Sequence, residues 1–211
     1  MSDKRSDGRL RDPERSREAI LQAAEQLFAQ KGYESTSLQE IGTLAGVSRG
    51  TPGYFFGSKE QLYQSVLDRI LKAEHDAAEQ VHERLMSSGA APVDIITEVI
   101  RSHIDFLVAR PTFLQLLTRE ALSNFAQPQS TTTLEVIQAG RMLLTHELER
   151  ADIHHVDPDM LLLSVVALCW MPLTHRETLL KPLAMDVDDP AFIERLKEHV
   201  VSLLLHGILH Q

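Results

Sequence analysis

A six-residue stretch, 49–54, brings an arginine, a threonine and a tyrosine together with two glycines. An arginine can donate paired hydrogen bonds to a guanine or a phosphate, and the two hydroxyls can bind phosphate oxygens or base edges. Glycines let a backbone approach another molecule closely. These residues have the chemistry of a nucleic-acid contact, provided that the flanking segments hold them on a rigid surface.

The segment before this stretch predicts a short helix with both ends marked. Ser37 and Glu40 have the spacing of a capping box, in which each side chain binds the other residue's backbone N–H. Apolar residues follow at helical spacing, at Leu38, Ile41, Leu44 and Ala45. Gly46 can end this helix in the left-handed conformation. Ser48 can then cap a second helix, 49–56.

A second capping box, Ser58 to Gln61, predicts the start of a third, long helix. Two short helices joined by a tight turn form a helix-turn-helix, and residues 49–56 have the place of its recognition helix. Helix hairpins with glycine turns also occur in proteins that never contact DNA. The polar residues of the second helix favour DNA binding over that alternative.

At these residues the chain resembles the TetR family of bacterial transcriptional regulators. The similarity is dense over residues 13–65 and thins beyond them to a general helical pattern. It implies a DNA-binding head, a body that differs between members and senses a ligand, and dimerisation through the last two helices. The matching residues are 19–21, 24, 27–28, 32–33, 36–37, 41, 45–48, 50–51, 54–56 and 58–60.

Three residues of the predicted recognition helix depart from the family pattern. Pro52 and Gly53 stand where relatives commonly carry a leucine and a tyrosine, and Phe55 stands where a histidine is usual. With Ser48 as cap, the Pro52 ring would press on the Ser48 carbonyl, so we expect a later helix start or a tight first turn. Gly53 costs about 1 kcal/mol of helix stability. Packing of Phe55 or Phe56 against the first helix must therefore hold the segment.

Length, composition and cysteine content narrow the class of protein. A chain of 211 residues with 43% hydrophobic residues is ordinary for one large or two small globular domains. The single cysteine excludes an internal disulfide and suits a reducing cytoplasm. The N-terminal residues contain no apolar run, and the longest apolar run, 160–173, is too short for a membrane helix. We therefore expect a cytoplasmic protein with no membrane partner.

The net charge of −9 argues at first against nucleic-acid binding. Residues 1–63, however, contain nine basic and nine acidic residues, so the whole negative charge lies in residues 64–211. A neutral head on an acidic body would turn the head toward phosphate. Residues 1–11 are predicted to be a disordered basic arm that follows the phosphate backbone or enters a minor groove. A solvated tail without DNA contact is the open alternative.

The rest of the chain predicts helices only. Asp12 and Pro13 begin a first helix, which Gly32 ends. A long helix from Ser58 to about Met86 would belong partly to the head and partly to the body. Further helices are predicted at 93–109, 112–124, 132–151, 159–181 and 190–210.

The last two helices are apolar on almost every side, over 160–168 and 200–205. A helix that is apolar all round must be buried all round. The body has too few helices to surround both, so we expect a second copy to cover them in a four-helix interface. The predicted fold is all-α, with a three-helix helix-turn-helix domain over 12–65 and a helical-bundle domain over 66–211. The latter senses ligand and dimerises through its last two helices.

Motifs of catalysis and metal binding were not found in the sequence. The ten histidines include His206 and His210, four residues apart, and the adjacent His154 and His155. No carboxylate–histidine signature of a zinc enzyme surrounds them. Cys169 has no cysteine neighbour at ligand spacing. We therefore expect no metal, no cofactor and no enzymatic activity.

Aromatic and methionine side chains of the body can line a ligand cavity, with plain core packing as the alternative. The role that the resemblance implies favours a cavity for a small apolar or aromatic effector, whose identity the sequence does not give. The candidate lining residues are His103, Phe106, Phe113, Leu117, Met142, Trp170 and His175.

These features predict a homodimeric, ligand-responsive transcriptional repressor that binds a palindromic DNA operator and is released by a small molecule. Arg49 and Thr51 are expected nearest the bases, and Ser48, Tyr54 and Lys59 nearest phosphates. The alternative is a ligand-binding or protein-interaction module whose DNA-binding head has degenerated. The predicted DNA-contacting residues are Ser37, Ser48, Arg49, Gly50, Thr51, Gly53, Tyr54 and Lys59.

Overall fold

The computed structural model describes residues 13–122 and 131–209, and the side chains of all of these except 120–122 and 207–209. Within these ranges the regular structure is helical and contains no strand, as predicted. The predicted arm 1–11, the cap Asp12, the end of the predicted helix 112–124 and His210 lie outside the described residues. The α-helices are α1 (Pro13–Lys31), α2 (Leu38–Leu44), α3 (Thr51–Phe56), α4 (Lys59–Ser87), α5 (Pro92–Ala109), α6 (Pro111–Leu122), α7 (Thr131–Arg150), α8 (Pro158–Thr174) and α9 (Pro190–Leu209).

The chain divides into two compact units, Met1–Val66 and Leu67–Gln211. We call the first unit the head and the second the body. The long helix α4 contributes residues to both, since it runs from Lys59 to Ser87. The sequence prediction of one helix shared between two parts of the chain is confirmed.

The core of the head is built around Phe28 on α1. Its ring lies 5.9 Å from the ring of Tyr33 and 5.0 Å from that of Tyr63, and the two tyrosine rings pack edge to face at 5.2 Å. Gly32 ends α1 in the left-handed conformation, with φ of 83°. Buried apolar side chains of α1 and of the N-terminal part of α4 complete this core: Ile20, Ala23, Ala24, Leu27, Leu62 and Val66.

The core of the body is organised around α5, which packs against α6, α7, α8 and α9. A helix with neighbours on several sides must be apolar over most of its circumference. The isoleucines and leucine that α5 places in this core are almost completely inaccessible: Ile95, Ile96, Ile100, Ile104 and Leu107.

The predicted helix 159–181 is wrong in its C-terminal part. Helix α8 ends at Thr174, and the chain continues as a π-helical turn, Arg176–Leu180, and a short 3-10 helix, Lys181–Leu183. Pro172 lies inside the last turn of α8, and the helix ends at His175, whose φ of −106° and ψ of 38° leave the helical region. Among the described residues no single helix is long and apolar enough to cross a membrane. Helix α8 and the segment Arg176–Leu183 reach the length and apolar composition of a membrane span only when they are taken together, and they meet at an angle of 76°.

The chain itself covers part of the apolar surface for which a second copy is expected, but it leaves Leu203 on α9 51% exposed. On α9 the apolar residues Val200, Val201 and Leu204 are buried within the chain itself, because α9 packs against α5 and α8. On α8 the apolar residues form two faces. One face is buried in the body, and the other exposes large side chains: Met160, Leu163 and Met171.

Candidate nucleic-acid interface

The turn between α2 and α3 is fixed by backbone hydrogen bonds at both ends of α2. Ser37 and Glu40 form the predicted capping box, with the Glu40 N–H donating to Ser37 Oγ at 3.2 Å and the Ser37 N–H donating to Glu40 Oε2 at 3.0 Å. At the other end, the Gly46 N–H donates to the Thr43 carbonyl and the Val47 N–H to the Gly42 carbonyl. This pair of bonds is a Schellman motif, and it requires the positive φ of 67° at Gly46.

The recognition helix is shorter than predicted. It spans Thr51–Phe56 rather than 49–56, and Gly50 takes the N-cap position. Ser48 was wrongly predicted as the cap: its hydroxyl instead lies 2.6 Å from the Thr51 hydroxyl. The later start places Pro52 in the first turn of α3, where its missing N–H costs no hydrogen bond. The clash expected for a helix capped by Ser48 is thereby avoided.

A close contact at Gly42, on α2, brings the segment before α3 against α2. A Cβ added at Gly42 would lie 3.0 Å from the Ser48 carbonyl oxygen, 3.2 Å from Arg49 Cα and 3.3 Å from Pro52 Cδ. A side chain at this position would require the neighbouring backbone to move by a few tenths of an ångström. The sequence analysis did not single out Gly42, because a glycine inside a predicted helix gives no sign of the partner that passes over it.

The surface of α3 alternates between buried and exposed residues. Tyr54 is 86% exposed, and the preceding Arg49 is also exposed. Pro52 and Phe56 are buried on the opposite side, and the Arg17 guanidinium on α1 lies 4.9 Å from the Phe56 ring centre. Of the two phenylalanines predicted to anchor the helix, Phe56 is therefore the buried one. The predicted apolar face of α2 is incomplete, because Leu44 is 48% exposed.

Lys59, at the first turn of α4, has partners within the head. Its Nζ donates to the carbonyl of Tyr33 at 2.9 Å and to that of Glu34 at 3.4 Å, and it lies 4.3 Å from the Tyr33 ring centre. An ammonium has three donor positions, so one remains for a phosphate. The predicted capping box that starts α4 is confirmed by the reciprocal bonds of Ser58 and Gln61.

The charges around α2 are paired within the head. The Lys31 ammonium binds Glu40 Oε1 at 2.9 Å. This hydrogen bond, together with those from Ser37 and the charge of Lys31, lowers the pKa of Glu40 to about 2. Helix α3 itself carries no ionisable acid or base in its first or last turn. Arg49 is thus an exposed positive charge beside a neutral helix.

The residues predicted to line a ligand cavity divide into two groups. Phe113 lies edge to face with both Phe106, at 6.1 Å, and Trp170, at 6.4 Å. The His103 ring binds Glu74 Oε1 through Nδ1 at 2.6 Å. His103 Nε2 and Trp170 Nε1 are buried without a hydrogen-bond partner. Leu117 is half-buried.

Met142 and His175 do not fit the predicted lining. Met142 is 68% exposed on α7, so it does not line an interior cavity of one chain. His175 is exposed at the end of α8, where its Nδ1 lies 2.9 Å from the Thr174 hydroxyl. A residue type at helical spacing does not fix which way its side chain points, and both of these side chains lie on the outer side.

Known proteins share both units of this fold. Residues 20–66 match the family model of bacterial regulatory proteins, tetR family, and residues 92–204 match that of the tetracyclin repressor-like C-terminal domain. The HTH-type transcriptional repressor NicS of Pseudomonas putida is 26% identical over 214 residues, which cover 99% of this chain and 99% of NicS.

Two solved structures have the same fold as this chain. NalD, the secondary repressor of the MexAB-OprM multidrug efflux pump in Pseudomonas aeruginosa, superposes with a TM-score of 0.67 at 23% identity, over 95% of this chain and 100% of NalD. The regulator FadR from Bacillus subtilis, in complex with stearoyl-CoA, has a TM-score of 0.67 at 18% identity, over 90% of this chain and 98% of FadR. At these identities the structures establish the fold.

The family models cover the helix-turn-helix and most of the body, and the body model alone spans more than half of the chain. The relative that matches over its full length is a helix-turn-helix repressor. The resemblance found in the sequence is confirmed: the chain belongs to the TetR family and is a DNA-binding transcriptional regulator.

Proposed function

We propose that the chain is a homodimeric repressor that binds a two-fold symmetric operator through α3 and leaves it when a small molecule binds the body. The observation that carries this proposal is the exposed group formed by Arg49, Tyr54 and the paired hydroxyls of Ser48 and Thr51. These groups lie on a segment fixed by the close contact at Gly42. Rigid presentation of such donors suits a major groove.

We assign the individual DNA contacts from the hydrogen-bonding groups that each side chain does not use within the head. Arg49 and Thr51 read bases, and Tyr54 and Lys59 hold phosphates, the latter through its remaining N–H. Gly50 and Gly53 let the backbone approach the DNA. Ser48 acts together with Thr51, since their hydroxyls share a hydrogen bond. Ser37 has the smallest role, because its hydroxyl and N–H both bind Glu40.

A gel-shift titration of the purified protein against its own upstream DNA tests this proposal. We expect a sequence-selective shift that weakens steeply as salt concentration rises, because phosphate contacts release counterions. Unrelated DNA of equal length is the control. A shift that is absent even at low salt would favour the alternative of a ligand-binding or protein-interaction module with a degenerate head.

The proposed dimer interface uses the outer face of α8. Leu163 on this face is 59% exposed, and Met160 and Met171 extend the apolar surface to either side. A four-helix interface with α8 and α9 of a second copy would cover it. In light scattering, wild type should be a dimer and Leu163→Glu a folded monomer that no longer binds a full operator. Leu204→Glu is a contrast rather than a second test, because Leu204 is 8% exposed and its substitution should unfold the body.

The proposed effector site is the interior around Phe106, Phe113 and Trp170. Its aromatic walls suit an apolar or aromatic molecule, and the unpartnered nitrogens of His103 and Trp170 suit a ligand that carries a polar group. A neutral His103 that donates Nδ1–H to Glu74 presents Nε2 as an acceptor, whereas Trp170 can only donate. A ligand hydroxyl would satisfy either nitrogen.

Release would pass through α4, which is shared by head and body. At about 1.5 Å per residue its 29 residues span about 43 Å, so a small tilt moves one end by several ångströms. Half-sites about 34–36 Å apart do not tolerate such a shift. The ligand must bind the released state more tightly than the DNA-bound state. The proposed output is thus a change of binding equilibrium in the cytoplasm, without a chemical reaction.

A thermal-shift screen with apolar and aromatic alcohols and acids identifies candidate effectors. Trp170→Phe keeps an aromatic ring and removes one N–H, so it should weaken the response to an effector about tenfold while operator affinity without effector stays the same. Met142→Ala, on the surface, is the matched control and should change neither. An effect of Trp170→Phe on DNA binding itself, with the response intact, would count against this site.

A further inference from the structure

A histidine–carboxylate cluster in the body lies outside the proposed effector site. It consists of His82 on α4 and of His146 and Glu147 on α7. The Glu147 carboxylate is completely buried, and its Oε1 lies 2.9 Å from His82 Nε2 and 2.9 Å from His146 Nδ1. The two imidazole rings meet edge to face, with their centres 6.1 Å apart. Three atoms that can ligate a metal thus lie within 4.8 Å of one another.

We propose that this cluster binds a divalent first-row transition ion of the zinc class. Two imidazole nitrogens and one carboxylate oxygen are a donor set that zinc takes, whereas magnesium and calcium prefer oxygen ligands alone. A tetrahedral zinc with bonds of about 2.1 Å holds its ligand atoms about 3.4 Å apart. The present separations lie between 2.9 and 4.8 Å, so they would have to change by roughly an ångström to reach the zinc spacing. A water would complete the coordination.

The surroundings of the cluster orient the carboxylate. Arg150 Nη1 donates to Glu147 Oε2 at 2.5 Å, which fixes that oxygen and leaves Oε1 facing the two histidines. Outer partners of this kind are usual around ligating carboxylates. The same guanidinium contacts the Met86 sulfur at 2.7 Å. Its positive charge opposes a cation, so Arg150 limits the affinity of the site while it positions the ligand.

Without an ion the cluster is satisfied by hydrogen bonds alone. Each neutral imidazole can donate one N–H to Oε1, and Arg150 supplies Oε2. Ion binding requires only that each ring place its proton on the other nitrogen, which turns both donors into ligands. The body can therefore fold without the ion and be stabilised further when the ion binds.

This cluster could not be predicted from the sequence. His82 and Glu147 are 65 residues apart, and the adjacent pair at 146–147 has no ligand spacing of its own. Only the packing of α4 against α7 brings them together.

Zinc titration of metal-free protein, with competition by a chromophoric chelator, tests the site. We expect about one tight equivalent per chain and a higher melting temperature with zinc. His146→Ala should bind at least about tenfold more weakly, as loss of a ligand requires. His154→Ala is the matched control, because His154 is an exposed histidine of the body outside the cluster. Equal binding by the two variants would overturn the proposal, since the ion would then sit on other histidines.

Two further variants keep the test independent of folding defects. His146 is half-exposed, so its replacement should leave the fold intact even if His82→Ala does not. Arg150→Gln keeps an N–H for Oε2 and removes the positive charge, so it should bind zinc more tightly than wild type. Cobalt supplies the spectroscopic probe: intense visible absorption of a tetrahedral ion is expected in wild type. A pale, octahedral spectrum would contradict the ligand set.

A regulatory consequence rests on the proposed function. An ion that joins α4 to α7 fixes the distal part of the helix that also contributes to the head, so operator affinity should change with zinc in wild type but not in His146→Ala. Zinc binding without this change would overturn the regulatory role and leave the site standing. Failure of operator binding both with and without zinc would instead contradict the proposed function.

Discussion

The polar residues that the described part of the chain buries as a whole are neutral in the head and charged in the body. Among the described residues the head buries the hydroxyls of Ser16 and Thr36, and Thr36 Oγ1 donates to the Gly32 carbonyl at 2.8 Å. The body buries Glu147 and Lys197. A buried hydroxyl with a partner holds one arrangement, while a buried charge depends on every group that compensates it.

The two buried charged residues of the body, Glu147 and Lys197, are both stabilised in their charged form by neighbouring groups. Burial by itself would raise the pKa of Glu147, but hydrogen bonds from His82 and His146 and the charge of Arg150 lower it. For Lys197, burial by itself would lower the pKa, but hydrogen bonds to its two acidic partners raise it. Its Nζ lies 2.5 Å from Asp105 and 2.7 Å from Glu194.

This difference matches a division of labour. The head must present α3 in one geometry, and caps, a Schellman turn and an aromatic core provide that without dependence on bound ions. In the proposed function the body changes when a small molecule or a cation binds, and either could rebalance its buried charges. The rigid DNA contact and the proposed adjustable charges thus lie in separate units of the chain.

Removing the aromatic core of the head should produce the largest difference in stability between the head and the body. Phe28→Ala should destabilise the head by about 3–5 kcal/mol, because a fully buried ring between two tyrosines is lost. The chain provides its own probes. All three tyrosines, Tyr33, Tyr54 and Tyr63, lie in the head, and the single tryptophan lies in the body. In urea, the tyrosine signal in near-ultraviolet circular dichroism should shift far more than the tryptophan signal.

The cysteine gives a second measure of the body in the same experiment. Burial and then the charge of Glu74 raise the pKa of Cys169 to about 12, so the thiol should stay unreactive toward thiol reagents at pH 8 until the body unfolds. Tyr54→Ala, which removes an exposed ring, is the control and should cost less than about 0.5 kcal/mol. If Phe28→Ala exposed Cys169 as early as it shifts the tyrosine signal, the two units would unfold as one.

The DNA contacts of the head should separate into two classes. Arg49→Ala should relax preference at a single base pair by about 1–3 kcal/mol. Lys59→Ala should weaken binding to all sequences alike and reduce the salt slope by about one, since a phosphate contact carries no sequence information. Gel shifts on a set of operator variants at several salt concentrations measure both. A change of selectivity in Lys59→Ala with an unchanged slope would show that these roles are reversed.

How far the sequence could predict the structure depends on the distance between partners. The capping boxes at Ser37 and Ser58 and the left-handed Gly46 were predicted, because their partners lie within a few residues. The contact made by Gly42 and the cluster around Glu147 were not, because separate segments create them. Pro52 shows an intermediate case: the helix shift was expected, but its position depended on the packing of the turn.

Two glycines of the head should respond to the same substitution with opposite sign. Gly42→Ala places a methyl group 3.0 Å from a backbone oxygen and should destabilise the head by about 1–3 kcal/mol. Gly53→Ala meets nothing closer than Leu38 Cδ1 at 3.9 Å, and should stabilise α3 by up to about 1 kcal/mol. Urea unfolding followed by the tyrosine signal measures both. If the more stable Gly53→Ala also binds the operator more weakly, the proposed backbone approach to DNA is supported; unchanged affinity would contradict it.

The smallest effect concerns the ion pair that supports the capping box of α2. Glu40→Gln keeps an oxygen for the Ser37 N–H and removes only the charge that faces Lys31. Because the folded-state pKa of Glu40 is about 2, below its ordinary value of 4.5, the stability gained from this charge is fully present above pH about 4.5. It is lost as the pH falls toward 2. Wild type should therefore exceed Glu40→Gln slightly in stability at pH 7, and the two should converge between pH 4.5 and 2. The pair is exposed, so added salt should reduce the difference. A difference that grew on acidification would mean that Glu40 stabilises the head in its protonated form, and the neutral cap would then be the dominant interaction.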